Sequence, residues 1–166
     1  MKYIGNFKNW INSSWRQEIL SIEGQARPRD WPPINAVESA EYRKYQEAGY
    51  DLSAVNWWVY EEQDVSFKIT PPWCTKEIHW WFTKLLPGQY MPMHVDPHVL
   101  TKPCKRFWMP LQDYCPGHIF VYGDKMINNY CEGDVYMFDQ EFDIHGSANI
   151  GHVPRVMLLV TEYQTS

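Results

Sequence analysis

From residue 55 onward, apolar and polar side chains alternate in short runs broken by turn residues, the period-2 pattern of strands. The runs predict strands over residues 55–60, 65–69, 77–86, 105–112, 119–122, 125–130, 134–138, 143–147 and 155–163. Pro87 and Gly88 close the strongest of them, 77–86, and Gly123-Asp124 between two others is a tight hairpin signal. Ahead of this body the period lengthens. Trp10, Ile11, Trp15, Ile19 and Leu20 make a rough helical stripe over residues 9–22 that ends near Gly24. Residues 25–33 hold three prolines and read as an irregular connection. A second helix is expected to start at Asn35, where Glu38 completes a capping-box pattern, and to stop at Gly49. Eight or so short strands with no helix among them predict a mainly β fold, a jelly roll or related double-sheet barrel, behind two short N-terminal helices. The expected organisation is one domain over residues 1–166, a helical preface (1–53) followed by a jelly-roll core (54–166).

Composition narrows the partners. The formal net charge is −5, which argues against a nucleic-acid surface, since a basic stripe is the usual footprint of one. Gly5, Asn6, Lys8 and Asn9 interrupt the first ten residues, so no signal-like apolar stretch stands there. The apolar run 156–160 is far too short to span a bilayer. The expectation is a cytoplasmic protein without a membrane partner. Cys74, Cys104, Cys115 and Cys131 show no Cys-x-x-Cys spacing, so reduced thiols are expected rather than disulfides or a zinc site.

Candidate chemistry gathers around residues 87–96. His94 and Asp96 stand two apart on an extended segment and so point to one side, and Pro97 keeps Asp96 out of the helical region. One imidazole and one carboxylate, completed by a distant imidazole such as His145, form the facial triad of non-haem Fe(II) oxygenases. The pair alone is weak evidence; its context carries more. Arg155, ten residues beyond His145, and Arg106, in register with Trp108, both fall on inward-facing positions, as does Thr83 beside Trp81 and Leu85. A buried cation without a partner costs several kcal/mol, so these arginines call for anions. One dicarboxylate lying between a metal and the two guanidiniums would serve both.

Residues 77–163 resemble the double-stranded β-helix of Fe(II)/2-oxoglutarate-dependent oxygenases, and within them the aspartyl/asparaginyl β-hydroxylase group. The resemblance rests on Thr83, Pro87-Gly88, Pro92, His94, Arg106 with Trp108 and Leu111, Glu132-Gly133-Asp134, Phe138-Asp139, His145, Asn149 and Arg155. It implies that His94, Asp96 and His145 bind iron. It further implies that Arg155 with Thr83 holds the distal carboxylate of 2-oxoglutarate, and that Arg106 meets its metal-proximal end. The implied activity is O2-dependent hydroxylation of an unactivated C–H, of an amino-acid side chain either free or in a peptide or protein, with release of succinate and CO2. Asp96 sits where the animal protein-modifying β-hydroxylases lack a carboxylate, and Trp108 stands where that group often has a histidine. His98 is expected to point outward in a surface or substrate-side role, while His79, His118 and His152 are expected to be structural or solvent-facing. Trp57, Trp58, Trp80, Trp81 and Trp108 are candidates for a dry wall. Two alternatives remain: a cupin-like metal-binding isomerase or sugar-modifying protein, and a non-catalytic jelly-roll binding module.

Overall fold

A computed structural model describes residues 1–27, 47, 57–95, 103–138 and 144–164. Its elements are β1 (Lys2–Asn6), α1 (Ser13–Ser21), β2 (Gln25–Arg27), β3 (Trp57–Glu61), β4 (Ile78–Leu85), β5 (Tyr90–His94) and β6 (Cys104–Pro110). They continue with β7 (His118–Tyr122), β8 (Lys125–Ile127), β9 (Asp134–Met137), β10 (His145–Asn149) and β11 (Arg155–Tyr163). The larger antiparallel sheet runs β1-β9-β6-β11-β4-β3-β2 and the smaller β5-β10-β7-β8. From β4 onward the chain winds between them, so that β4, β6, β9 and β11 lie in the first and β5, β7, β8 and β10 in the second. That winding is the double-stranded β-helix, and the fold is mainly β as the alternation predicts.

Burial follows from where each strand lies. β11 is central and flanked by β4 and β6, so its run Val156 to Val160 is buried on both faces and reads as continuous rather than alternating apolar sequence. Its even-numbered residues Val156, Leu158 and Val160 join Phe82, Phe107 and Met109 in a core outside the barrel. The odd-numbered Met157 and Leu159 join Trp108, Phe120, Tyr122 and Phe138 inside it. The outer core is roofed by α1. Asn12 caps that helix by accepting from the Ser14 amide at 3.0 Å, and Trp15 and Ile19, four residues apart, are its buried face. From the sheet below, the Lys84 ammonium donates to the carbonyls of Ile19 (2.9 Å) and Ile22 (3.1 Å), holding the end of α1 where the helix carries partial negative charge. Burial lowers the pKa of that lysine from its ordinary value.

Several expectations change. Residues 65–69 form no strand. They follow a short 3-10 turn (Glu62–Asp64) and pack Phe67 on Trp15, Trp80 and Phe82 through ring contacts instead of pairing backbone. The predicted strand over 125–130 stops at Ile127. β1 and β2 were not expected. Both extend the larger sheet, so its strands come from either side of residue 53. Gly123, at φ 59°, occupies the first position of a two-residue hairpin in which Tyr122 pairs with Lys125, as foreseen. The helix expected from Asn35 to Gly49 falls outside the described residues apart from a single helical position, Glu47.

Candidate functional site

Pairing of β5 with β10 brings two of the predicted ligands together. His94 ends β5, His145 begins β10, and the two are direct cross-strand partners with ring centroids 4.4 Å apart. Both are buried, at 7% and 3% exposure. The register slips between His145 and Ser147, and Gly146 sits in that irregularity. A Cβ there would lie 2.9 Å from the Met93 sulfur, 3.0 Å from the Met93 nitrogen and 3.1 Å from the Met91 oxygen, so glycine permits the close approach that seats His94.

The His94 ring has a defined orientation. Its Nδ1 lies 2.7 Å from the Pro92 carbonyl oxygen. A carbonyl only accepts, so Nδ1 carries the proton and Nε2 is the ring nitrogen that could take a metal, the arrangement by which metal-binding histidines are held. Pro92 is tolerated inside β5 because β5 is the edge of its sheet. Asp96, the third predicted ligand, falls outside the described residues, as do Pro97 and His98. Among the described residues no cluster of three His, Cys, Asp or Glu side chains is large enough to hold a metal.

The arginines take opposite ends of the same interior. Arg106 on β6 pairs with Thr161 near the end of β11, whereas Arg155 starts β11. Six residues of strand separate those β11 positions, roughly 20 Å of backbone. Arg106 belongs to the histidine end: its guanidinium carbon is 4.3 Å from the Phe138 ring, which in turn lies 5.3 Å from His145. Arg155 is 2% exposed at the far end, its guanidinium carbon 5.6 Å from the Phe120 ring and 5.8 Å from Trp108. It pairs with Leu85, two residues beyond Thr83 on β4, so Thr83 and Arg155 share the inner face. Trp108 stacks on Phe120 at 4.8 Å and meets Tyr130 edge-on at 5.3 Å.

Arg155 has few polar neighbours. Its Nε and Nη2 are buried and have no hydrogen-bond partner among the described residues. Burial pushes its pKa down, and the Tyr130 hydroxyl facing it pushes back. Glu162, the acidic residue of the same strand, is engaged elsewhere, accepting from the amides of Thr75 (2.6 Å) and Lys76 (3.2 Å). The loop before Arg155 is held from three sides. Asn149 donates to the carbonyls of Leu85 (2.9 Å) and Val153 (2.8 Å), and Gln112 donates to Pro154 (2.7 Å) while accepting from Val156 (3.1 Å). The third hold is His118, whose Nε2 lies 2.8 Å from the Val153 oxygen.

His118 is thus buried and structural, His79 is half exposed beside Glu61 at 3.9 Å, and His152 faces solvent. The tryptophans do not form one wall. Trp80 belongs to the outer core with Trp58 packed against it, whereas Trp57, Trp81 and Trp108 serve the inner clusters, because neighbours on a strand point to opposite faces. Phe120 and Tyr130 line the site without having been singled out, together with Phe138, which was named only as part of the resemblance. Their signal was available, since Phe120 and Phe138 fall on inward registers of β7 and the end of β9.

No protein-family model matches the chain, and no curated protein matches it. Solved structures do resemble it. A cupin domain of Schizosaccharomyces pombe Cnp3 is 14% identical, with 70% of this chain and 74% of that one covered at a TM-score of 0.44. An RmlC-like cupin protein from Desulfovibrio desulfuricans is 14% identical over 64% and 81% of the two chains, at 0.41. A putative sugar phosphate isomerase from Acidithiobacillus ferrooxidans is 11% identical over 68% and 62%, at 0.42. Scores this low assign neither ligand nor activity, and the fold stands on the strand order itself.

Proposed function

We propose that the chain is an Fe(II)- and 2-oxoglutarate-dependent oxygenase that hydroxylates an amino-acid side chain, free or within a peptide. The observation that carries this reading is Arg155, a guanidinium sealed in the barrel whose Nε and Nη2 have no hydrogen-bond partner among the described residues, at the other end of the interior from a facing histidine pair. An anion is what that cation lacks, and a dicarboxylate that also reaches the histidines supplies it.

His94 through Nε2, His145 and Asp96 would hold Fe(II), a donor set of two imidazoles and one carboxylate suited to it. Arg155 and Thr83 would bind the distal carboxylate of 2-oxoglutarate, and Arg106 would neutralise charge at the metal end. With O2, the iron and 2-oxoglutarate together supply the oxidising power for C–H hydroxylation. The protein contributes orientation and dryness. Phe120, Phe138 and Trp108 exclude water around the two basic ends, which strengthens every charge interaction there.

A second reading is a cupin-like metal-binding isomerase or sugar-modifying protein. Phe120 favours it, since its ring adjoins both Arg155 (5.6 Å) and His145 (6.1 Å) and narrows the space open to a dicarboxylate. One anaerobic titration separates the readings. An oxygenase gives a weak visible charge-transfer band when Fe(II) and 2-oxoglutarate are added together, then succinate under air. Metal binding that is indifferent to 2-oxoglutarate selects the cupin alternative, and no metal binding selects a plain binding module. His94→Ala and His145→Ala are each expected to abolish the band while leaving circular dichroism unchanged.

A further inference from the structure

β11 begins at Arg155 with a different neighbour on each side. On one side Arg155 pairs with Leu85 of β4. On the other, the ladder to β6 runs as far as Met157 opposite Pro110, after which the Leu111 amide donates to the Val156 carbonyl at 3.1 Å. One rung further on β6 has ended, yet the Pro154 carbonyl and the Val156 amide, which flank Arg155, still need partners. The Gln112 side chain takes both. Its Nε2 donates to Pro154 at 2.7 Å and its Oε1 accepts from Val156 at 3.1 Å. A carboxamide carries the donor and the acceptor of a peptide group, so one side chain replaces the missing rung.

The orientation of that amide is fixed. Turning it over would set its NH2 against an N–H and its oxygen against a carbonyl. Nε of Arg16 on α1 repeats the constraint, donating to the same oxygen at 3.2 Å. At 9% exposure, Gln112 has little water to replace these partners. We propose that Gln112 is a positioning residue for Arg155 and that Arg16 ties it to α1. With Leu85 on one side and Gln112 on the other, the backbone from which the Arg155 side chain leaves is held at both edges. The guanidinium then presents Nε and Nη2, one edge of the group and without a hydrogen-bond partner among the described residues, in the form that suits a two-point carboxylate contact. That this carboxylate is the distal one of 2-oxoglutarate rests on the function proposed above; the clamp on the backbone does not.

Gln112→Met keeps the length of the side chain and removes both bonds. In anaerobic calorimetry of the full chain with Fe(II), it is expected to weaken 2-oxoglutarate by about tenfold while leaving 2-oxobutyrate, which has no distal carboxylate, within about twofold. KM for 2-oxoglutarate should rise with kcat nearly unchanged. Arg16→Met should act in the same direction by about threefold. Equal losses for the two acids mean a general loosening and overturn the positioning role, as does no loss for either; the oxygenase stands in both cases. Wild-type affinity in Arg16→Met overturns the tie to α1. If Gln112→Met does not fold, Gln112→Glu, which keeps the acceptor and loses the donor to Pro154, is read in the same way. A second readout needs no cosubstrate. In nitrogen-15 spectra the Arg155 Nε–H signal should shift in the Gln112 variant and the Val156 amide should exchange faster; an unmoved Arg155 signal overturns the clamp. If wild type binds no 2-oxoglutarate, the oxygenase reading fails and these spectra alone decide the role of Gln112.

Discussion

Arg155 poses a conflict at the scale of one residue. Its burial without full hydrogen bonding works against the fold, yet its position suits an anion. Exchanging such a cation for an apolar side chain of similar length is often neutral or stabilising, by about 1–4 kcal/mol. Arg155→Met is therefore expected to raise the denaturant midpoint, or at worst leave it, while removing any dependence on a dicarboxylate; a large loss of stability would mean that the guanidinium is paired structurally. The inward placement of Arg155, Arg106, Thr83, Trp108, His94 and His145 was legible beforehand, because strand period alone assigns faces. Gln112 and His118 were not. Their roles depend on which carbonyls and amides meet their side chains, and only the packed chain decides that.

At the scale of elements, the close pairing of β5 and β10 depends on Gly146. Gly146→Ala would press a methyl against the Met93 and Met91 backbone, where neither atom is a flexible side-chain end. A cost of about 1–3 kcal/mol is expected, as for other overpacked sites. The larger effect is a displaced His94, so metal affinity measured by competitive chelation should fall more than the melting temperature suggests. Sequence patterning found most of the barrel strands but missed β1 and β2, five and three residues long, whose pairing is imposed by neighbours rather than by composition. It erred the other way at residues 65–69, where β-favouring side chains turned inward to an aromatic cluster without a strand to join. Lys84 was also opaque: on the outer face of β4 it looked like any strand lysine until α1 placed two carbonyls above it.

At the scale of the whole molecule, acid should unfold the chain partly through His118. Burial lowers its pKa from the ordinary 6.5, and the charge of Arg155 adds to the effect. Below that value the unfolded chain takes up a proton that the folded one refuses. The contribution is thus fully present above pH 6.5 and is lost as pH falls from there through the folded pKa. Denaturant midpoints taken between about pH 7 and pH 5 should decline, and His118→Gln should flatten that decline. Among the described residues no helix is long and apolar enough to cross a membrane.

The pairing of β1 with β9 has a consequence in time as well as in space. Lys2 lies against Met137 and Asn6 against Asp134, so strands about 130 residues apart in the chain close one side of the larger sheet. Such distant pairings are slow, because loop-closure entropy is lost before any contact forms. β1 must therefore wait for most of the barrel before it can dock. Until then β9 is a bare edge, open to the strands of another copy. Deleting residues 1–7 is expected to leave secondary structure nearly intact by circular dichroism while promoting aggregation at high concentration, and light scattering during refolding would show it. Here β1 acts as the late-closing latch of the larger sheet.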